Sequence, residues 1–132
     1  MTGPRVALIV GASGAAAARI VEHASATPGL GVVGLSRRVP DGAGAWIAAD
    51  LRGPEGLGRA LAARPDITHV VYASRAPHAE AGVEDVPGNL EMLRNLLDAA
   101  EAGLPRLAHV HLVHGGKWYG MHIGPYRHAG AR

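Results

Sequence analysis

A short segment near the start of the chain has the residue types and spacing that suit it to binding an anion. An apolar run at 6–10 leads into Gly11-Ala12-Ser13-Gly14, and alanine-rich sequence with helical spacing follows. Residues without a Cβ let a strand turn sharply into a helix and let a phosphate approach the N–H groups of the first helical turn. The spacing therefore predicts a phosphate site at Gly11, Ser13 and Gly14.

A second segment, about two dozen residues beyond the first glycine, carries positive charge where a chain that binds NAD usually has an acidic residue. It consists of Ser36, Arg37 and Arg38, directly after the apolar run 32–35. Guanidinium groups can bind a ribose 2′-phosphate bidentately, and a serine hydroxyl can add a donor. Together the two segments predict a dinucleotide site that prefers NADP(H) over NAD(H). Taken alone, the glycine pattern also fits a tight β–α turn without a ligand.

The composition limits the other classes of partner. The 132 residues suffice for one domain but are few for a complete dinucleotide-dependent enzyme. The formal charge is only +2 and the basic residues are scattered, which does not favour nucleic acid. Without cysteine there is no disulfide, thiolate nucleophile or cysteine metal site. No apolar run approaches ~18 residues and a strand is expected by residue 5, so we expect a cytoplasmic protein with no membrane partner.

Apolar runs alternate with helical periodicity along the chain, and their order predicts the fold. This order predicts an α/β, Rossmann-like, doubly wound parallel sheet with strand order 3-2-1-4-5 and helices on both faces. A ligand would then lie across the carboxyl ends of strands 1, 2 and 4. We expect a dinucleotide-binding domain over 1–113 and a loop or tail over 114–132. The predicted strands are 5–10, 31–36, 45–49, 67–73 and 107–113, and the predicted helices are 14–26, 54–64 and 86–102.

The helix at 86–102 has the clearest pattern. Leu90, Leu93, Leu97 and Ala100 share one helical face, and charged residues lie off it. Gly103, followed by a proline two residues later, is expected to end the helix. The pattern predicts that this leucine stripe packs against the core.

Further segments give the chain a family resemblance. With Asp50-Leu51, Tyr72-Ala73-Ser74 and Asn89-Leu90, it resembles the extended short-chain dehydrogenase/reductases of the NAD-dependent epimerase/dehydratase superfamily. The segment 112–120, which contains Lys117-Trp118-Tyr119-Gly120, and the later Gly124-Pro125-Tyr126 are similar to a signature of the progesterone 5β-reductase and iridoid synthase-like branch. The resemblance covers essentially this whole chain but only the N-terminal half of such an enzyme.

The resemblance implies roles for individual residues. Lys117 would be the active-site lysine of a reaction that delivers hydride from NADPH to the β-carbon of an enone. An ammonium group near the reacting oxygen favours a developing oxyanion. The resemblance places Gly11, Ser13 and Gly14 at the pyrophosphate, Ser36, Arg37 and Arg38 at the 2′-phosphate and adenine, Asp50 and Leu51 at the adenine edge, and Ala73 and Ser74 beside the nicotinamide ribose.

The chain also departs from the family pattern. His114, Gly116 and Trp118 replace residues that are usual in the branch, and the tyrosine that polarises the substrate carbonyl would follow residue 132. We therefore expect a truncated, cofactor-binding portion of a reductase, and the residues leave catalytic competence open. The alternatives are a sugar-nucleotide epimerase/dehydratase-type NAD(P) protein and a non-catalytic dinucleotide-binding remnant.

Two features near the last predicted strand suggest other contacts. Strand 107–113 would be a bare apolar edge, so we expect self-association through it or poor solubility. His109 and His111 would share one face of this strand, which is a spacing compatible with a metal if His114 or His122 completed the set. The alternative is that these histidines are ordinary surface or edge residues, and His114 caps the strand end. We expect no metal site.

Overall fold

The computed structural model describes residues 3–115, which form a five-stranded parallel sheet flanked by helices. The helices are α1 (Ala15–Ser25), α2 (Pro54–Ala62) and α3 (Val86–Gly103). The strands hydrogen-bond in the order β3-β2-β1-β4-β5, and every neighbouring pair is parallel. This order confirms the predicted Rossmann-like architecture. The strands are β1 (Arg5–Val10), β2 (Leu30–Ser36), β3 (Trp46–Ala48), β4 (His69–Tyr72) and β5 (His109–Leu112).

Three of the five strands are shorter than predicted. β3 has three residues, and β4 and β5 have four each. Apolar residues also occur in the connections between strands. Ile67, for example, is fully buried although it lies before the start of β4. A single backbone hydrogen bond between neighbouring segments also occurs just before β4, where Thr68 N donates to Val6 O at 2.9 Å. The apolar pattern thus located each strand and overestimated the length of three of them.

The sheet has a buried layer on each face. Side chains alternate along β1, so Leu8 and Val10 point to one face while Ala7 and Ile9 point to the other. Leu8 and Val10 belong to the larger core, which also contains buried residues of α2 and α3. Ala7 and Ile9 belong to a smaller core with Ala17 of α1. The continuous apolar run of β1 follows from burial on both faces.

Helix α3 packs through a face that coincides only in part with the predicted leucine stripe. Leu90 is 47% exposed and Leu97 is 38% exposed, whereas Met92 and Leu96 are buried. A Cβ on Gly103 would lie 3.2 Å from Ala62 N, so the end of α3 contacts the end of α2 closely. Apolar residues surround much of α3, and the contacts with α2 and the sheet decide which of them are buried. The predicted stripe is therefore wrong for Leu90 and Leu97, whereas Ala100 is buried and the partly buried Leu93 packs against the larger core.

The turn after β1 is held tightly between its neighbouring strands. Gly11 has φ +80°, which favours glycine. A Cβ at Gly11 would lie 2.9 Å from Ser74 Cα and 3.0 Å from Ala73 O. On the other side, Gly11 N and Ala12 N both donate to Leu35 O, at 2.9 and 3.1 Å. The turn thus fixes the ends of β1, β2 and β4 relative to one another.

Tyr72, the last residue of β4, places a titratable group in the larger core. It is 7% exposed. Its hydroxyl has no hydrogen-bond partner among residues 3–115. Burial disfavours the charged phenolate and raises the pKa of Tyr72 above its ordinary value of 10.0.

The close packing at Gly11 predicts a large effect of Gly11→Ala on folding. Gly42 also has a positive φ, +70°, but a Cβ there would meet nothing within 4 Å. Gly42→Ala should therefore lower the free energy of unfolding only by the backbone strain, about 1–2 kcal/mol. Gly11→Ala adds an overpacking penalty, so its total loss should be about 2–5 kcal/mol. Urea unfolding of both variants measures the difference, and equal losses would contradict the packing.

The raised pKa of Tyr72 predicts a specific loss of stability at alkaline pH. A raised folded-state pKa gives stability that is complete below the unfolded pKa, near 10, and declines as pH rises through the folded pKa. Tyr72→Phe removes this group, so its free energy of unfolding should fall less than that of the wild type above about pH 10. Urea titrations from pH 7 to 11 test this, with the difference at pH 7 as the reference. Parallel curves up to pH 11 would refute it.

Candidate functional site

A cleft of about 670 Å³ lies at the carboxyl ends of β1, β2 and β4. This is the edge where a doubly wound sheet of this order binds its ligands. Its walls come from the turn before α1, the segment after β2, the segment after β3 and the segment after β4. Of the residues predicted from the sequence, it is lined by Gly11, Ser13, Gly14, Ser36, Arg37, Asp50, Leu51, Ala73 and Ser74.

The N-terminus of α1 forms one side of the cleft. Gly14 is the N-cap residue in an extended conformation, and no side chain caps the helix. The first turn contains no acidic residue. Gly14 N donates to Gly11 O at 2.9 Å, so this amide serves the turn itself. The N–H groups of the first turn have no acceptor within the helix, and the helix dipole favours an anion beside them.

The arginine pair lies next to this helix terminus. Arg37 lines the main cleft together with Ser13. Arg37, Arg38 and Ser13 also line an adjoining depression of about 380 Å³, with Val39 and Pro40. Both arginines are exposed. The structure thus brings the two sequence segments that predicted the dinucleotide site to the same place.

Ser36 has a different environment from the arginines that follow it. It is only 8% exposed. Its hydroxyl donates to Arg38 O at 2.5 Å and accepts from Trp46 Nε1 at 3.0 Å. A serine hydroxyl has one proton, so in this arrangement the proton points to the backbone of Arg38.

Asp50 and Leu51 form the wall after β3. Asp50 is exposed, and its carboxylate accepts from Arg52 N at 2.9 Å. Leu51 is 5% exposed and its carbonyl accepts from Asn95 Nδ2 at 2.8 Å. The wall is therefore anchored to α3 through Asn95.

The segment after β4 is anchored in a similar way. Ala76 N donates to Asn89 Oδ1 at 2.9 Å, and Asn89 Nδ2 donates to Asp85 O at 2.8 Å. Asp85 caps α3 by accepting from Gly88 N at 2.9 Å. Ala73 and Ser74 are thus followed by a segment that side chains of α3 hold in place.

Two arginines in the cleft were missed by the sequence analysis. Arg52 and Arg75 line the same cleft as Arg37. Arg52 pairs with Asp85 at 3.2 Å, and Arg75 lies 3.7 Å from Glu84. Arg52 directly follows Leu51, and Arg75 directly follows Ser74, which are both predicted site residues. This adjacency in the sequence could have identified the two arginines as residues of the cleft. Among the described lining residues the arginines outnumber the single carboxylate of Asp50, so the cleft suits a polyanion.

His69, His109 and His111 lie on the sheet rather than in the cleft. His109 and His111 are exposed on β5, with ring centroids 6.3 Å apart. His69 of β4 stands beside them, 6.2 Å from His109, which the sequence analysis did not foresee. Within residues 3–115, no three side chains are arranged to hold a metal ion.

Lys117, Trp118 and Tyr119 lie outside the described residues, as do His122 and the segment Gly124-Pro125-Tyr126. No helix in the described part of the chain is both long enough and apolar enough to cross a bilayer.

Comparisons with known proteins connect this geometry to enzymes. No family model matches the chain. The chain is 35% identical over 127 residues to (S)-8-oxocitronellyl enol synthase from Antirrhinum majus, and 34% identical over 130 residues to 3-oxo-Delta(4,5)-steroid 5-beta-reductase from Arabidopsis thaliana. These alignments cover 86% and 92% of this chain. The chain spans only 30% and 32% of the two relatives.

A solved structure shows the same fold. It is a short-chain dehydrogenase/reductase superfamily protein from Agrobacterium tumefaciens with bound NAD, at TM-score 0.65 and 22% identity. The match covers 86% of this chain and 34% of that protein. This structure shows the fold alone, whereas the relationship to the two plant enzymes, together with the sheet order and the glycine turn, shows that this chain belongs to the short-chain dehydrogenase/reductases, in the progesterone 5β-reductase and iridoid synthase-like branch.

Proposed function

We propose that the chain binds NADP(H) in preference to NAD(H) across the carboxyl end of the sheet. The observation that carries this proposal is that Arg37 lines one cleft with Ser13 and Gly14. In this position a pyrophosphate lies against the first turn of α1, and a ribose 2′-phosphate lies against Arg37 and Arg38. No carboxylate occupies the end of β2, where it would repel the 2′-phosphate and instead accept from a ribose hydroxyl.

The remaining walls suit the rest of the dinucleotide. Asp50 and Leu51, which line the cleft after β3, would contact the adenine edge. Ala73 and Ser74 would lie beside the nicotinamide ribose; this is supported by their position after β4, which neighbours β1 on the side away from β2. Arg52 and Arg75 line the same cleft, where Asp85 and Glu84 partly balance their charge. Together with Arg37 they give the cleft three arginines that can face the phosphates of the dinucleotide.

We further propose that this unit supplies the cofactor to an enone reductase. When bound, NADPH would supply a hydride to the β-carbon of a small enone or related carbonyl substrate. The relatives are a steroid 5-beta-reductase and an oxocitronellyl enol synthase, and the chain spans about a third of their length. Lys117 is the proposed active-site lysine, whose ammonium would favour the oxyanion that develops on the substrate oxygen.

The cofactor proposal predicts that the wild-type chain binds NADPH more tightly than NADH. Arg37→Ala and Arg38→Ala should each weaken NADPH binding by roughly 10- to 100-fold, because each removes a charge-assisted contact to the 2′-phosphate. NADH binding should change much less. Isothermal titration calorimetry with both dinucleotides measures these affinities.

Arg59→Ala is the matched control, because Arg59 is an exposed arginine of α2 that does not line the cleft. It should leave both affinities unchanged if the effect is local. Equal affinities of the wild type for NADPH and NADH would refute the preference. Absence of binding to either dinucleotide would refute the site.

We also propose that the chain self-associates through β5. Among the described residues β5 pairs only with β4, so its outer edge has free backbone donors and acceptors. The neighbouring Val113 is 42% exposed. An edge strand of this kind offers a template for a strand from a second copy.

This predicts concentration-dependent association in sedimentation velocity experiments. His111→Lys places a charge on the exposed side of β5 and should shift the population towards monomer, because edge lysines oppose strand pairing. His23→Lys, the same substitution on the exposed surface of α1, serves as the control. A wild type that stays monomeric at every concentration would contradict the proposal.

A further inference from the structure

The short strand β3 contributes a side chain to the segment that carries the arginine pair. Trp46 Nε1 donates to Ser36 Oγ at 3.0 Å, and Ser36 Oγ donates to Arg38 O at 2.5 Å. These two bonds form a relay from the indole of β3, through the end of β2, to the backbone of Arg38. We call it the Trp46–Ser36–Arg38 relay.

The indole is positioned by its packing on β2. A Cβ at Gly34 would lie 2.5 Å from Trp46 Cε3, so the ring lies against the backbone of Gly34 and excludes any larger residue there. Gly34 is also the register partner of Trp46. On the same side, Trp46 packs against the smaller core that contains Ile9. Its N–H group is therefore aimed at Ser36 by contacts that do not involve a ligand.

Backbone bonds between β2 and β3 hold both ends of this contact. Gly34 N donates to Ala45 O at 3.0 Å, and Ala49 N donates to Ser36 O at 3.1 Å. Ser36 is 8% exposed, so its hydroxyl is shielded from solvent and depends on protein partners. The hydroxyl oxygen accepts a hydrogen bond from Trp46, and its single proton is donated to the carbonyl oxygen of Arg38.

The relay contacts the arginine segment through its backbone, at the carbonyl oxygen of Arg38. Arg37 and Arg38 are exposed and follow the last residue of β2. With the carbonyl of Arg38 fixed, the chain between Ser36 and Arg38 closes into a turn of defined shape. The two guanidinium groups then start from fixed Cα positions, which lowers the entropy lost when they bind an anion.

We propose that Trp46 and Ser36 are positioning residues that set the preference for a dinucleotide with a 2′-phosphate. This inference rests on the proposed binding of NADP(H). It assigns Ser36 an indirect role, because its donor is directed to Arg38, whereas the resemblance implies direct contact with the cofactor. The ligand class is a dinucleotide that carries a phosphate monoester on its adenosine ribose.

The test uses two variants that break the relay at different bonds. Trp46→Phe keeps an aromatic ring over Gly34 but removes the N–H donor, and Ser36→Ala removes the central hydroxyl. Each should lower the ratio of NADPH to NADH affinity by roughly three- to tenfold, the effect of one hydrogen bond. Because they act through one relay, the double variant should lose little more than the larger single loss.

The readout is the ratio of the two affinities, measured by calorimetry, with a thermal melt of each variant. If Trp46 and Ser36 had only a structural role, the variants would weaken the binding of NADPH and of NADH equally, and the ratio of the two affinities would not change. The Arg59→Ala control should preserve the ratio. If Trp46→Phe fails to fold, Ser36→Ala, which leaves the indole packing in place, still decides the outcome.

The outcomes separate the inference from the function on which it rests. If the wild type prefers NADPH and both folded variants keep the full ratio, the relay is refuted and the cofactor proposal stands. If the wild type has no preference for NADPH, the cofactor proposal fails and the relay fails with it. A reduced ratio in both variants, without additivity in the double variant, supports the relay.

Discussion

The backbone at Gly11 is the constraint on which the rest of the site depends. Its amide and that of Ala12 both bind Leu35 O, while its Cα faces Ser74 at a distance that excludes a side chain. The ends of three strands are therefore locked together at the point where the sheet reverses its order. Because the turn uses its own amides for this purpose, the N–H groups of the first turn of α1 are left facing the cleft.

The charges around the cleft are supported by the same elements that form the core. Asn95 anchors the wall at Leu51, and Asn89 anchors the segment after Ser74. Both asparagines belong to α3, so the burial of that helix fixes two walls at once. The arginine segment lacks such an anchor on α3, and its contacts come from β3 instead. The cleft thus has two independent supports, one on each side of β1.

The sequence predicted what depends on neighbours along the chain and missed what depends on neighbours in space. The structure confirms the strand order, and it brings the glycine turn and the arginine pair, which were found from local spacing, to the same cleft and its adjoining depression. The face of α3 could not be predicted, because Leu90 and Leu96 are equally apolar and only the contacts with α2 and the sheet distinguish them. The hydrogen bond from Trp46 to Ser36 was also missed, since it depends on the register of β2 and β3.

Because β3 is short, its docking against β2 is expected to be coupled to the binding of a ligand at Arg37 and Arg38. A three-residue edge strand gains little from its ladder, so the burial of Ile47 in the larger core and the packing of Trp46 on Gly34 help to hold it against β2. The segment 37–45 connects the two strands and begins with the arginines. A ligand that binds Arg37 and Arg38 only when β3 is docked would stabilise the docked state by mass action. Cofactor binding and the docking of β3 should therefore reinforce each other.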